Sequence, residues 1–240
     1  MTTYGLYLES GPKRRKTMVH VLDLLGCIAN GPSTDEALAA TPEAIRAYAA
    51  FLRRHGEPVA PHARIETRVV EHITEGAFLG NGSGDIVFTP DLKPLTAADI
   101  DRFLARFHAM REEVATWAET QSARALDAAP RDRGRTGRAI LLHIVAVPGA
   151  YLSAALGGTS GFSRVQTLAE RGELPLPEAL RRVDEMVAGV VRATTPAQRK
   201  AVVRRPAGDV RTLRKALRRA LEHDWEHLAE LSRRPGGPVA

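Results

Sequence analysis

Two histidines stand four residues apart in LEHDWEHLAEL, Leu221 to Leu231. On a helix, His223 and His227 project from one face with Cβ atoms about 6 Å apart, so both imidazoles can reach one divalent ion. Chance also puts such pairs on exposed helices, so a metal site needs a further ligand. His143, in RAILLHIVAVPGAYL, is the candidate. It sits among Leu141, Leu142, Ile144 and Val145, where a neutral imidazole faces a desolvation cost unless something binds it. Taken alone, His143 reads more plainly as a core histidine bonded to a carbonyl or carboxylate. Glu226 and Glu230 each follow a histidine of the pair by three residues. They are either acceptors behind the ligands or solvated helix carboxylates. Trp225 is turned about 200° from His223, so it is expected against another helix or the N-terminal half. His20, His55, His62 and His72 share no spacing and read as structural or exposed, as does His108.

The elements that must position these residues divide the chain in two. In the first half, YGLYLES alternates as a strand and TMVHVLDLLG is apolar and β-branched, with the loop GPKRRK between them, so a hairpin is expected. The four cations of that loop read as a solvated tip, with anion binding as the lesser alternative. Ser33 or Thr34 can cap a following helix whose apolar face is Ala37, Leu38, Ile45, Tyr48 and Leu52. Residues 62–80 return to strand character. GNGSGD, Gly80 to Asp85, is a loop with neither P-loop nor dinucleotide spacing. Pro90 and Pro94 mark the boundary, giving domains 1–92 and 93–240.

From Thr96 the period becomes helical. The first helix, opened by Thr96 and Asp99, carries Ile100, Phe103, Leu104, Phe107, Met110, Val114 and Trp117 as a stripe. A second runs from about Thr136 to Leu156, with Pro148 kinking or shortening it. A third begins at Pro177, and a fourth runs from Asp209 until Pro235-Gly236-Gly237 stops it. Four such helices read as a bundle, and the whole as an α+β protein.

Bulk numbers fit that reading. The 240 residues are 44% hydrophobic and 26% charged, ordinary for a globular protein, and the aromatic share of 5% favours helical packing. No uninterrupted run of about 18 apolar residues suggests a membrane span, and MTTYGLYLES lacks the pattern of a signal peptide. The single cysteine, Cys27, excludes an internal disulfide and fits a reducing cytoplasm. Charge is uneven: 10 Lys+Arg against 11 Asp+Glu up to Pro94, then 24 against 17. Acids interleave with the arginine pairs and aromatics are missing from the basic runs, so solvated helix faces are expected and nucleic-acid binding is not.

The second half resembles the DinB family of metal-binding four-helix bundles. The resemblance rests on GRTGRAILLHIVAVPGAYL and, much later, VRTLRKALRRALEHDWEHLAEL. In that family one histidine comes from the second helix and two from the fourth, as His-x-x-x-His. Those positions are His143, His223 and His227 here. Three neutral imidazoles suit Zn²⁺, Ni²⁺ or another borderline divalent metal, and three protein ligands leave a position for water or substrate. The resemblance implies a metal-dependent enzyme acting on a small-molecule substrate, with a low-molecular-weight thiol such as mycothiol or bacillithiol as cosubstrate. Asp224, Trp225 and Pro148 depart from better-known relatives and set the pocket lining apart. Bundles of this kind also form homodimers through helix faces.

The first half resembles the HicB-like fold of antitoxins. An aromatic strand ends in Glu9, and LLGCIANGPSTDEALAATPEAI supplies a Gly-Cys strand end, a glycine turn and an Ala-rich helix. The order implied is β-β-α-β. A DNA-binding segment follows this fold in HicB antitoxins and is not found here, so the resemblance implies a module that docks a protein partner. The alternative to an enzyme is therefore a non-enzymatic stress or regulatory module.

Overall fold

The structure, a computed structural model, describes residues 2–59, 64–130, 134–205 and 208–240. His62 lies outside the described residues.

The expected hairpin forms. Strands β1 (Thr2–Ser10) and β2 (Arg15–Val21) pair antiparallel, from Leu6 opposite Val21 to Ser10 opposite Thr17. Lys13, Arg15 and Lys16 at its tip are exposed, and Lys13 and Lys16 adopt positive φ. Where a strand end and a glycine turn are expected, a third strand, β3 (Cys27–Ser33), pairs antiparallel with β2. The first half therefore runs β-β-β-α-β. Between β2 and β3 the chain turns at Gly26, whose φ of 101° suits glycine. A Cβ there would also lie 2.3 Å from the Tyr48 hydroxyl.

Helix α1 (Thr34–Arg54) is capped by Ser33, whose oxygen accepts from the Glu36 amide. Ala37, Ile45, Tyr48, Phe51 and Leu52 face inward, and Pro42 is accommodated within the helix. Strand β4 (Ile65–Ile73) then returns parallel to β1, giving the order β3-β2-β1-β4.

The second half holds four long helices: α2 (Ala97–Glu119), α4 (Gly137–Leu156), α6 (Leu176–Arg192) and α8 (Leu213–Ser232). Thr96, Thr136 and Thr212 cap α2, α4 and α8, and Asp99 completes a capping box at α2. The expected α2 stripe is buried from Ile100 to Val114, while Trp117 is partly exposed and donates to the Gly236 carbonyl. Helix α4 continues through Pro148 and ends at Gly157 in a left-handed conformation, so the proline does not shorten it. By length and mean hydropathy of 1.9, α4 would suffice to cross a membrane. Here it packs against α6, α8 and the short helix that follows it, Phe162–Glu170. Short helices α3 (Ala123–Asp127), α5 (Phe162–Glu170) and α7 (Pro196–Lys200) occupy the connections. Val210–Arg211, read as the start of α8, instead forms β6 and pairs with β5 (Val203–Arg204).

One apolar cluster runs from Leu6 of β1 to Leu231 of α8. Helix α8 is buried nearly all round, because α2 and α4 cover one side and the N-terminal half the other. Trp225 packs on Tyr48 and Phe51 of α1, with ring centroids at 4.7 and 5.2 Å. A polar tie runs beside it: the buried Glu222 carboxylate meets His20 at 2.8 Å, Arg218 at 2.9 Å and Arg219 at 2.6 Å. Arg218 also forms a two-pronged pair with Asp91, both contacts 2.9 Å. The GNGSGD loop cradles an internal anion: the Gly82 and Ser83 amides donate to the Glu9 carboxylate at 2.6 and 3.1 Å.

Candidate metal centre

Helices α4 and α8 lie side by side, and His143 meets the His223–His227 pair across their contact. The candidate ligand atoms of the three imidazoles all lie within 4.8 Å of one another. The Nε2 atoms of His143 and His223 are 2.9 Å apart. Ring centroids are separated by 4.7, 5.0 and 4.4 Å for the pairs 143–223, 143–227 and 223–227. His223 and His227 are each 5% exposed, whereas His143 is the solvent-facing member. The centre is thus buried on the α8 side and open at His143.

Burial drives the His223 pKa down to about 3, against an opposing contribution from Asp224. His143 is also lowered, by burial first and then by His227 and Arg135. Both rings are therefore neutral near pH 7 and have a lone pair to donate.

Outer nitrogens are occupied from behind. His227 Nδ1 lies 2.9 Å from Glu230, which also accepts from Arg135 at 2.8 Å. The Glu230 carboxyl is held down at about 2, by the His227 bond first, then by Arg135, with burial opposing. His223 Nδ1 lies 3.4 Å from Asp224. Asp224 in turn pairs with the buried Arg111 at 2.5 Å, and Arg111 donates to the Ile144 carbonyl, one residue beyond His143. These contacts orient two rings so that Nε2 faces the shared centre, the arrangement that metal-bound imidazoles adopt. The donor set fits a borderline divalent ion: three imidazoles, with a carboxylate behind two of them.

Of the two carboxylates weighed from spacing, Glu230 is the one at a ring nitrogen. Arg111 and Arg135 were missed. Arg111 left a signal, being a cation inside the apolar stripe between Met110 and Val114. Arg135 lies in the connection before α4 and left none. His20 is buried against Glu222, His55 lies 3.5 Å from Glu113, His72 bonds Ser10 at 2.8 Å and His108 bonds Asp184 at 2.7 Å. None of these four approaches the centre. Cys27 is fully buried, and burial raises its pKa.

Residues 106–231 match the family profile of the DinB superfamily. The chain belongs to the DinB superfamily. The match begins within α2, ends within α8 and includes His143, His223 and His227. The N-terminal sheet lies outside the DinB segment. A search of curated proteins found no match to this chain.

Proposed function

We propose that this DinB-superfamily chain is a metal-dependent enzyme acting on a small molecule, with His143, His223 and His227 as the ligands. The single observation that carries the reading is the convergence of three imidazoles with carboxylates behind two of them and an opening at the third. When bound, a divalent ion such as Zn²⁺ or Ni²⁺ supplies Lewis acidity and lowers the pKa of water or a thiol there. The chain's own residues do the positioning. Arg111 and Asp224 hold His223, while Arg135 and Glu230 hold His227. The buried α8 side excludes water, so reactants enter past His143. The reaction class that fits is attack by a thiol sulfur or a water oxygen on an electrophilic small molecule. A thiol-dependent transfer or isomerisation, with a low-molecular-weight thiol as cosubstrate, is the first choice, and hydrolysis the second.

Metal analysis of the purified chain beside His143→Ala and His227→Ala tests the site. About one equivalent in the parent and little in either variant is expected. Unchanged metal in both variants retires the site.

A second reading concerns the N-terminal half as a HicB-like docking module. Val69 and Val70 of the edge strand β4 are 46% and 48% exposed, an apolar pair suited to strand addition. Val70→Lys should then abolish a protein contact while leaving metal content unchanged; retained contact would remove the idea.

A further inference from the structure

The face of α8 that presents His227 and His223 continues toward the helix N-terminus as Arg219 and Lys215, at steps of four residues. Those cations stand about 6 and 12 Å along the axis from His223. Beside them, between α4 and α8, lies a cavity of about 210 Å³. Ala150, Tyr151 and Ala154 wall it from α4, and Asp85 of the N-terminal half closes another side. The alanines leave the space unfilled. Tyr151 connects it to the metal centre, its ring edge-on to His223 at a centroid distance of 6.3 Å.

Arg219 is 3% exposed, yet its Nε–H finds no acceptor among the described residues. Its Nη1 is committed to Glu222. An unmet donor on a buried charged group costs stability, and a ligand oxygen is the acceptor that would satisfy it. Lys215 is 6% exposed and uses one bond on the Val210 carbonyl at 2.5 Å. An ammonium has three N–H donors, so it can serve a ligand too. Gly82 lets the N-terminal loop approach: a Cβ there would fall 2.2 Å from Arg219 Nη2.

We propose that this cavity binds the carboxylate of a small organic acid, held by Arg219 and Lys215, with the rest of the molecule lying along Tyr151 toward His223. Charge favours a single negative charge. Three cations line the cavity, Arg211, Lys215 and Arg219, but Asp85 sits in the wall, Asp209 pairs with both Arg211 and Lys215, and Glu222 pairs with Arg219, so little positive charge is left over for a dianion. The inference gives the substrate class of the proposed enzyme and rests on that reading only for the reacting end of the molecule. It also gives the N-terminal half a part in the pocket.

The test is calorimetric titration of the full chain, metal-free and Co²⁺-loaded, with butyrate, its neutral isostere butyramide, and inorganic phosphate. Butyrate should bind in both forms, with butyramide and phosphate weaker by about tenfold or more. Ala154→Leu fills the cavity without touching the charged groups and should abolish butyrate binding while leaving the cobalt absorption spectrum intact. Lys215→Met should weaken butyrate by about tenfold. Equal binding of butyrate and butyramide, preference for phosphate, or unchanged binding in Ala154→Leu each overturns the proposal. Failure of the metal reading shows separately, as a cobalt spectrum that His143→Ala does not alter.

Discussion

Two buried histidine-bearing clusters occupy neighbouring faces of α8, and they are built on opposite logic. Around Glu222, charges answer charges: Arg218, Arg219 and His20 surround one carboxylate, and Asp91 takes the far side of Arg218. Around His223, neutral imidazoles face one another, and the carboxylates stand behind them. In the first arrangement the carboxylate is answered by three partners of the chain, with one N–H of Arg219 left over, and the cluster ties the N-terminal sheet to the bundle. The second converges lone pairs on a point that the chain leaves to something else. A histidine bracketed by acids is therefore structural, and one meeting other histidines is a candidate ligand. Glu222→Gln should separate the two roles most strongly. Removing one partner of a buried ionic cluster costs about 3–5 kcal/mol, here a fall in Tm of roughly 6–20 °C. Metal content of the folded fraction should stay at the parent level. Thermal and urea unfolding beside metal analysis would show it, and a loss under about 1 kcal/mol would erase the distinction.

The imidazole cluster should respond in the opposite way. His143→Ala removes a partly exposed ring, so metal-free stability should move by about 0.5 kcal/mol or less, while metal retention collapses. Glu230→Gln keeps all three rings and removes only the charge behind His227. Metal affinity should then drop by about 10–100-fold. Competition against a chromogenic chelator measures both, and an unaltered affinity in Glu230→Gln would show that His227 needs no support from behind.

What the sequence disclosed follows the range of the forces involved. The caps at Ser33 and Thr96 and the α2 stripe are local signals, and they were legible. The convergence of the three histidines was legible in part for a related reason, since the four-residue spacing of His223 and His227 is local, and in part through the resemblance to the DinB family, which joined His143 to the pair. Strand β3 was missed because CIANGPS carries Asn30, Gly31 and Pro32, which read as a turn. An edge strand tolerates such residues, since its outward amides need no partner. The Arg111–Asp224 pair joins residues 113 apart, and the His20–Glu222 pair joins residues 202 apart. No spacing rule reaches across those separations, so the supports behind the three histidines and the tie between the halves emerged only from the fold.

Acidification should resolve the two clusters by pH window. His223 has a folded pKa near 3 against an ordinary 6.5, because of burial. Below pH 6.5 the unfolded chain therefore takes up a proton that the folded chain refuses, and stability falls as pH drops from 6.5 toward 3. Glu222 behaves as a depressed acid: burial would raise it, but Arg218, His20 and Arg219 outweigh that and hold it well below its ordinary 4.5. Its stabilisation is complete above 4.5 and is lost progressively beneath that value. In the metal-free chain, His223→Gln should flatten the decline between pH 6.5 and 4.5, and Glu222→Gln the part below 4.5. Urea midpoints at pH 7, 5.5 and 4 would distinguish these outcomes. An unflattened upper limb in His223→Gln would mean that His223 already carries its proton in the fold.

The smallest effect belongs to a charge cluster that looks as rich as the Glu222 group. Arg181 of α6 contacts both Glu112 and Glu119 of α2, at 2.9 and 2.5 Å. These side chains are 37–49% exposed, against 1–3% for Glu222, Arg218 and Arg219. Water competes for each exposed charge and screens the pair, and ordering three long side chains costs entropy. Arg181→Ala should therefore change stability by less than about 1 kcal/mol, and the change should shrink further in high salt. Urea unfolding at two ionic strengths would check this. A salt-insensitive loss approaching that of Glu222→Gln would mean that burial does not set the ranking between these ionic groups.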